Sequence, residues 1–209
     1  MNFQEYRPGG FGVLPPVVKN LLIINVLGFL GYFTFGYVFN WDLNDKLGLH
    51  YFMADKFSPF QYVSYMFMHG GIGHIFFNMF ALWMFGNALE NYWGGKRFLT
   101  YYLITGVGAG LVHTLVNYYH ITPIIAEVEM LLANPNSINP SQDLQQYYSY
   151  FVAWGNTPDM ELFKQWIYNR PIVVGASGAV FGLLLAFGML FPNALIYIYF
   201  AIPIKAKYF

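Results

Sequence analysis

The chain has 209 residues with no net charge; 10% are charged, 57% hydrophobic and 22% aromatic, and there is no cysteine. Soluble domains carry about a quarter charged residues, so this composition excludes an ordinary soluble protein and implies a membrane protein. The missing cysteines exclude disulfides, thiolate catalysis and cysteine-ligated metals, and no basic patch points to nucleic acid.

The chain is long enough for one bundle of several spans, each needing about 20 apolar residues. Residues 1–16 form a polar, Gly/Pro-rich segment with no compact apolar core or small-residue cleavage site, so it is expected to stay on the mature chain rather than to be removed as a signal peptide. A first span is predicted from about Val17 to Phe39, with Arg7 and Lys19 before or at its start and Asp42 and Asp45 after its end. The loop 40–71 is rich in aromatics (Trp41, Tyr51, Phe52, Phe60, Tyr65) and is expected to lie in the membrane interface. A second span runs from about Gly73 to Leu89, followed by the basic pair Lys96 and Arg97, and a third from about Phe98 to Val116.

Residues 117–170 read as a long, more polar outer loop. Within it Thr157-Pro158-Asp159 has the pattern of a cap, a proline at the first helical position and an acid against the helix dipole, so a short helix to Tyr168 is predicted. Ile124–Leu132 is a second helix candidate. A fourth apolar helix begins at Ser177 and ends near Phe191, followed by Lys205 and Lys207; Ala194–Pro203 reads as the approach to a further span. All the basic clusters agree on a cytoplasmic N-terminus. The expected class is thus an all-α, multi-pass membrane protein with about four transmembrane helices, with residues 17–209 as one membrane domain bearing 117–170 as an insertion.

Polar side chains at membrane depth are costly and concentrate at functional positions. His74 and Asn78 lie four residues apart and therefore share one helix face. His69 is five residues before His74, and Gly70, Gly71 and Gly73 suggest that the helix has not begun there. No His-Glu-x-x-His motif exists, so zinc peptidase chemistry is not indicated. Ser177 sits in Gly175-Ala-Ser-Gly178 at the mouth of a helix. Taken singly each feature also has a plain reading. The small residues Gly175, Gly178, Ala179 and Gly182 suit close helix packing, His74 with Asn78 suits an interhelical hydrogen-bonding pair, and His69 suits a structural hydrogen bonder. His113 and His120 have interfacial positions, and His50 is a loop residue with no partner visible in sequence.

In combination, His69-x4-His74-x3-Asn78 followed by Gly175-Ala-Ser-Gly-Ala-Val-Phe-Gly182 resembles the rhomboid intramembrane serine proteases. The likeness extends through Phe60-Gln61, His74-Ile-Phe-Phe-Asn78-Met-Phe-Ala-Leu-Trp83, Gly86-Asn-Ala-Leu-Glu90 and Gly94-Gly-Lys-Arg-Phe98. The resemblance implies a rhomboid-like bundle of six spans at a bacterial inner (plasma) membrane and a Ser-His dyad that cleaves transmembrane or membrane-anchored proteins near the outer face. It implies Ser177 as nucleophile, His74 and Asn78 as oxyanion donors, His69 in support, and Gly175 and Gly178 as the residues that leave room for substrate. Its partners would be transmembrane substrates and membrane lipid, with no cofactor, metal or nucleic acid. A water-filled cavity lined by Ser177, His74 and Asn78 is expected, because hydrolysis needs water at the serine. The family draws its general base from a histidine in a sixth span, whereas all five histidines here precede Ser177. The expectation is a product truncated before its last two spans, inert alone; a catalytically inactive relative that binds transmembrane segments is the alternative.

Overall fold

The computed structural model describes residues 14–134, 139–153, 155, 159–170, 172–198 and 202–208. Arg7, Thr157 and Pro158 of the sequence reading lie outside these residues. Among these residues, three helical segments are long and apolar enough to cross a membrane: Pro16–Phe39, Ile72–Trp93 and Gly95–Ala133; Ser177–Leu190 is a shorter apolar helix. The expected helical membrane bundle is present, with these boundaries in place of the predicted ones.

Helix α1 (Pro16–Phe39) starts on a proline, whose missing N–H costs nothing in a first turn, and ends at Asn40 in the left-handed conformation, φ 53°. Its buried residues, Val18, Leu21 and Asn25, are confined to its first half, while Ile23, Leu27, Leu30 and Phe33 are exposed. An exposed apolar face of this kind needs lipid rather than water around it. The start of α1 is held by Glu90, a buried carboxylate whose two oxygens accept from the Val17 and Val18 N–H groups at 3.0 and 2.7 Å. These are orphan donors of a first turn, and the negative charge also meets the positive end of the helix dipole. Glu90→Gln removes the charge and one of the two acceptors, and is expected to lower stability by about 1 to 2 kcal/mol. Unfolding midpoints in graded SDS test this; an unchanged midpoint contradicts it.

Residues 40–71 form a folded cap. Helix α2 (Leu43–Leu47) is capped by Asp42, and α3 (Gln61–Ser64) continues into a tight turn at Tyr65–Phe67. Leu49, Tyr51, Tyr65, Met66 and Met68 are buried, whereas Trp41, Phe52 and Phe60 remain on the surface. Gln61 ties the cap together: its Oε1 accepts from His50 N and Ser58 N, and its Nε2 donates to the Lys46 and Lys56 carbonyls. His50, without a visible partner in the sequence, is buried with Nε2 2.7 Å from the Asp45 carbonyl, and Asp45 is paired with Lys56 at 2.8 Å.

The second span is two helices, α4 (Ile72–Ala81) and α5 (Asn87–Trp93), joined by one wide turn at Leu82–Gly86. Such a turn accommodates an extra residue and rotates the face presented beyond it. Gly86 there packs against Val18 and Phe98.

Helix α6 (Gly95–Ala133) does not stop near Val116. It continues for 39 residues, passing Pro123. At 1.5 Å per residue it is about 58 Å long, nearly twice a hydrocarbon core of about 30 Å. The predicted loop therefore begins as the second half of a helix, and Ile124–Leu132 is its end rather than a separate element. Helices α7 (Gln142–Ala153) and α8 (Met160–Asn169) pack on this projecting half. Ile121, Ile125, Val128, Leu144, Phe151, Phe163 and Ile167 bury one another there, a core distinct from that of the bundle. The predicted helix to Tyr168 is α8, and what the sequence reading did not anticipate is α7 and the packing of both helices on α6, because the apolar residues are diluted among polar ones. The cap of α8 is Asp159, whose carboxylate accepts from Glu161 N and Leu162 N.

Helix α9 (Ser177–Leu190) runs against α6. Beyond it, where a further span was expected to begin, β1 (Leu195–Ile198) pairs with β2 (Ile202–Lys205) as an antiparallel hairpin, Leu195 opposite Lys205. The β-branched run of isoleucines explains the strand preference. This short hairpin is a local addition to a predominantly helical bundle.

Candidate active site

The turn that delivers Ser177 is clamped from the cap. Leu49 and Val173 exchange both backbone hydrogen bonds, at 2.9 and 3.0 Å, and Gly175 N–H donates to the Tyr65 carbonyl at 2.8 Å. Between these anchors and the helix, Gly175 adopts φ +121°, a conformation that glycine reaches without strain and L side chains rarely adopt. A methyl group added there would lie 2.5 Å from His74 Nε2 and 2.6 Å from Cε1. The missing side chain is thus the space the imidazole occupies.

Ser177 is the first residue of α9, with Ala176 as its cap and Val180 N–H donating to the Ala176 carbonyl at 2.9 Å. First-turn N–H groups have no acceptor within their own helix and carry the positive end of its dipole. Ser177 is half-buried, as is His74. Asn78 is buried one turn along α4, with Nδ2 donating to the His74 carbonyl at 3.0 Å. An amide nitrogen has two hydrogens, so this bond leaves the second one to offer. The fold brings the His74 ring against the turn that ends in Ser177.

His69 lies before the start of α4, as its glycine-rich surroundings suggested, and is fully buried. Its ring meets His74 edge to face at 5.0 Å. Burial, with the neighbouring His74 ring, pushes the His69 imidazolium down to about 4. The native state therefore holds His69 neutral at pH values where an unfolded chain, titrating at about 6.5, takes up a proton. Between about pH 6.5 and 4 the unfolded state binds more protons, so stability falls as pH is lowered through that window. Unfolding midpoints measured from pH 8 to 4 should show this fall, and His69→Gln should make it shallower. A wild-type profile flat across the window contradicts the assignment.

The approach of α9 to α6 is set by small residues. Added methyl groups on Gly178 and Gly182 would sit 2.5 Å from Ala109 Cβ and 2.7 Å from Thr105 Cβ. Tyr101 donates its hydroxyl to the Gly182 carbonyl at 2.9 Å, and Tyr65 donates to the Gly106 carbonyl at 2.8 Å. Tyr65 thus holds the Gly175 turn through its backbone and α6 through its phenol. Its part in the site has no motif-level signal in the sequence beyond an aromatic among many.

The remaining histidines stand apart from this group: His50 is spent inside the cap, His113 pairs with Asn117 on α6 at 2.6 Å, and His120 is exposed. Among the described residues no cluster of three metal-ligating side chains occurs. An apolar groove between α1 and the cap, lined by Ile24, Leu27, Gly28, Leu47, Phe67 and Met68 among others, is not bordered by Ser177, His74 or Asn78.

Residues 56–126 match the family described as the Rhomboid domain. About a third of the chain thus resembles a rhomboid domain. The matched stretch holds His69, His74 and Asn78 and ends before Ser177. The chain is also similar to rhomboid protease GluP of Bacillus subtilis (strain 168), 38% identical over 52 residues, which is 25% of this chain and 10% of that protein. The similarity thus spans about a tenth of that relative's length. Of the helices long and apolar enough to cross a membrane, Ile72–Trp93 and most of Gly95–Ala133 fall in the matched stretch.

Proposed function

We propose that this rhomboid-like chain serves an intramembrane serine endopeptidase that cuts transmembrane or membrane-anchored proteins, with Ser177 as nucleophile. The observation that carries the reading is the contact of the His74 ring with Gly175, two residues before the serine. In the tetrahedral intermediate the substrate carbonyl oxygen becomes an anion and needs donors already in position. His74, the second Asn78 N–H and the Ser177 backbone N–H, at the positive end of α9, supply three. A serine hydroxyl is a weak nucleophile until a base removes its proton. The reading is a Ser-His dyad, and it assigns the base to none of the five histidines present, since each has another place in the fold or a donor role.

Depth supports the reading. Lys96 and Arg97 keep the start of α6 at a membrane edge, and Gly178 lies beside Ala109, 14 residues further on. At 1.5 Å per residue this puts Ser177 about 21 Å from that edge, hence roughly 9 Å below the opposite face of a core about 30 Å thick. Helix α9 is short for a span because it only has to run from the basic edge to that depth. The basic clusters make this edge the cytoplasmic one, with Ser177 nearer the outer face and a water-filled hollow above it admitting the second reactant.

Asn78→Ala removes one donor of three, and is expected to lower kcat by about 10² to 10³ while leaving KM for a single-span substrate nearly unchanged. Cleavage kinetics in liposomes, with the protein that carries this chain, test the assignment; a kcat within a few-fold of wild type removes Asn78 from the site.

A further inference from the structure

The ends of four segments meet at the end of the bundle opposite the cap. Glu90 binds the start of α1, Gly95 abuts Val17, the Tyr92 and Phe191 rings lie 5.5 Å apart, and Lys207 N–H donates to the Pro192 carbonyl at 3.2 Å. This gathers Lys19, Lys96, Arg97, Lys205 and Lys207, all exposed, at one end. Among the described residues the carboxylate at that end is Glu90, which is buried and already committed to Val17 and Val18. The other described acids lie on the cap (Asp42, Asp45, Asp55) and on the lobe of α6 to α8, so among the described residues the five cations have no anion of their own. Among the described residues no salt bridge involves any of them.

The hairpin at this end is built the wrong way round for water. Ile196 is buried, but Leu195 and Tyr197 are 53% and 56% exposed, and across the ladder they face Lys205 and Pro203. Directly paired residues share a sheet face, so the outward surface is Leu195, Tyr197, Pro203 and Lys205. Beside it Tyr208 is 73% exposed, with Lys207 Nζ 4.8 Å from its ring centroid. Two-stranded hairpins are marginal in water alone. An apolar and aromatic face with ammonium groups at its margin suits the zone where acyl chains meet headgroups.

We infer that the outward face of the β1–β2 hairpin and the surrounding cations Lys19, Lys96, Arg97, Lys205 and Lys207 bind the headgroups of anionic phospholipids in the adjoining leaflet. Leu195 and Tyr197 enter the interface, and the ammonium and guanidinium groups take the phosphates. The inference does not depend on the peptidase reading.

The test uses the protein in nanodiscs of mixed phosphatidylcholine and phosphatidylglycerol, released into mild detergent and weighed intact with the lipids it retains. Wild type is expected to retain phosphatidylglycerol in preference. Each cation near an anionic surface is worth about fivefold in binding, so K205Q/K207Q should cut that preference by at least about fivefold. Lys46→Gln, on the cap at the opposite end, should leave it unchanged. Equal retention of the two lipids by wild type, or equal loss in the Lys46 variant, overturns the inference. Should the double variant fail to fold, the wild type in rising salt decides: preference lost on screening supports the site, and preference that persists contradicts it.

Discussion

Replacing Ser177 by alanine is expected to reduce cleavage of a single-span substrate to background, by about 10⁴-fold or more, with little change in stability. The size follows from chemistry. A covalent route that splits one hard step into two loses its first bond-forming atom, and the donors that remain can only polarise a carbonyl for attack by water. The small stability cost follows from position. Ser177 opens α9 without acting as its cap, since Ala176 holds that place, and the serine hydroxyl makes no hydrogen bond that the helix needs. Kinetics and SDS unfolding of the same preparation separate the two quantities. Activity retained in Ser177→Ala would remove the nucleophile assignment, and activity lost together with the fold would leave the serine a structural role instead.

Gly175→Ala should also be damaging, for a different reason. The new methyl carries two penalties at once: a backbone at φ +121°, worth roughly 1 to 3 kcal/mol of strain for a residue with a side chain, and a contact 2.5 Å from His74 Nε2. Neither can be relieved cheaply, because the turn is held by Gly175 N–H to Tyr65 O and by the Leu49–Val173 pair. The imidazole is the side that yields. A displacement of about 1 Å in such a group costs on the order of 10²-fold in rate. The variant is therefore expected to lose at least that much in kcat and to unfold at lower SDS. Wild-type rates in Gly175→Ala would show that the His74 ring does not work where it rests.

Much of the candidate site was legible because polar residues are expensive in a membrane and stand out at short spacing. His74 and Asn78 four apart, and a serine among glycines at the head of an apolar run, needed no long-range information. The meaning of Gly175 was less accessible: its small size reads equally as helix packing, and only the positive φ and the ring beside it distinguish the two. His50 shows the opposite limit. Its burial depends on Asp45 and Gln61, residues that no local pattern joins to it. The end of the third span was misjudged because polarity rises after Val116, and polarity was read as loop. The helix persists there because α7 and α8 cover one face of it, a tertiary contact that no window along the chain reports. The hairpin after α9 was read as a nascent span for a related reason: a short isoleucine-rich run fits a strand and a buried helix alike, and the pairing of Leu195 with Lys205 is what decides it.

The account stands or falls on whether Ser177 is an activated nucleophile facing water. The direct measurement treats the protein that carries this chain, embedded in liposomes, with a fluorophosphonate and locates the adduct by peptide mass spectrometry. The chain offers six serines, at 58, 64, 137, 141, 149 and 177. The account predicts phosphonylation of Ser177 alone, abolished in Ser177→Ala and coincident with loss of substrate cleavage. An unmodified Ser177 in a preparation that still cleaves its substrate would contradict it.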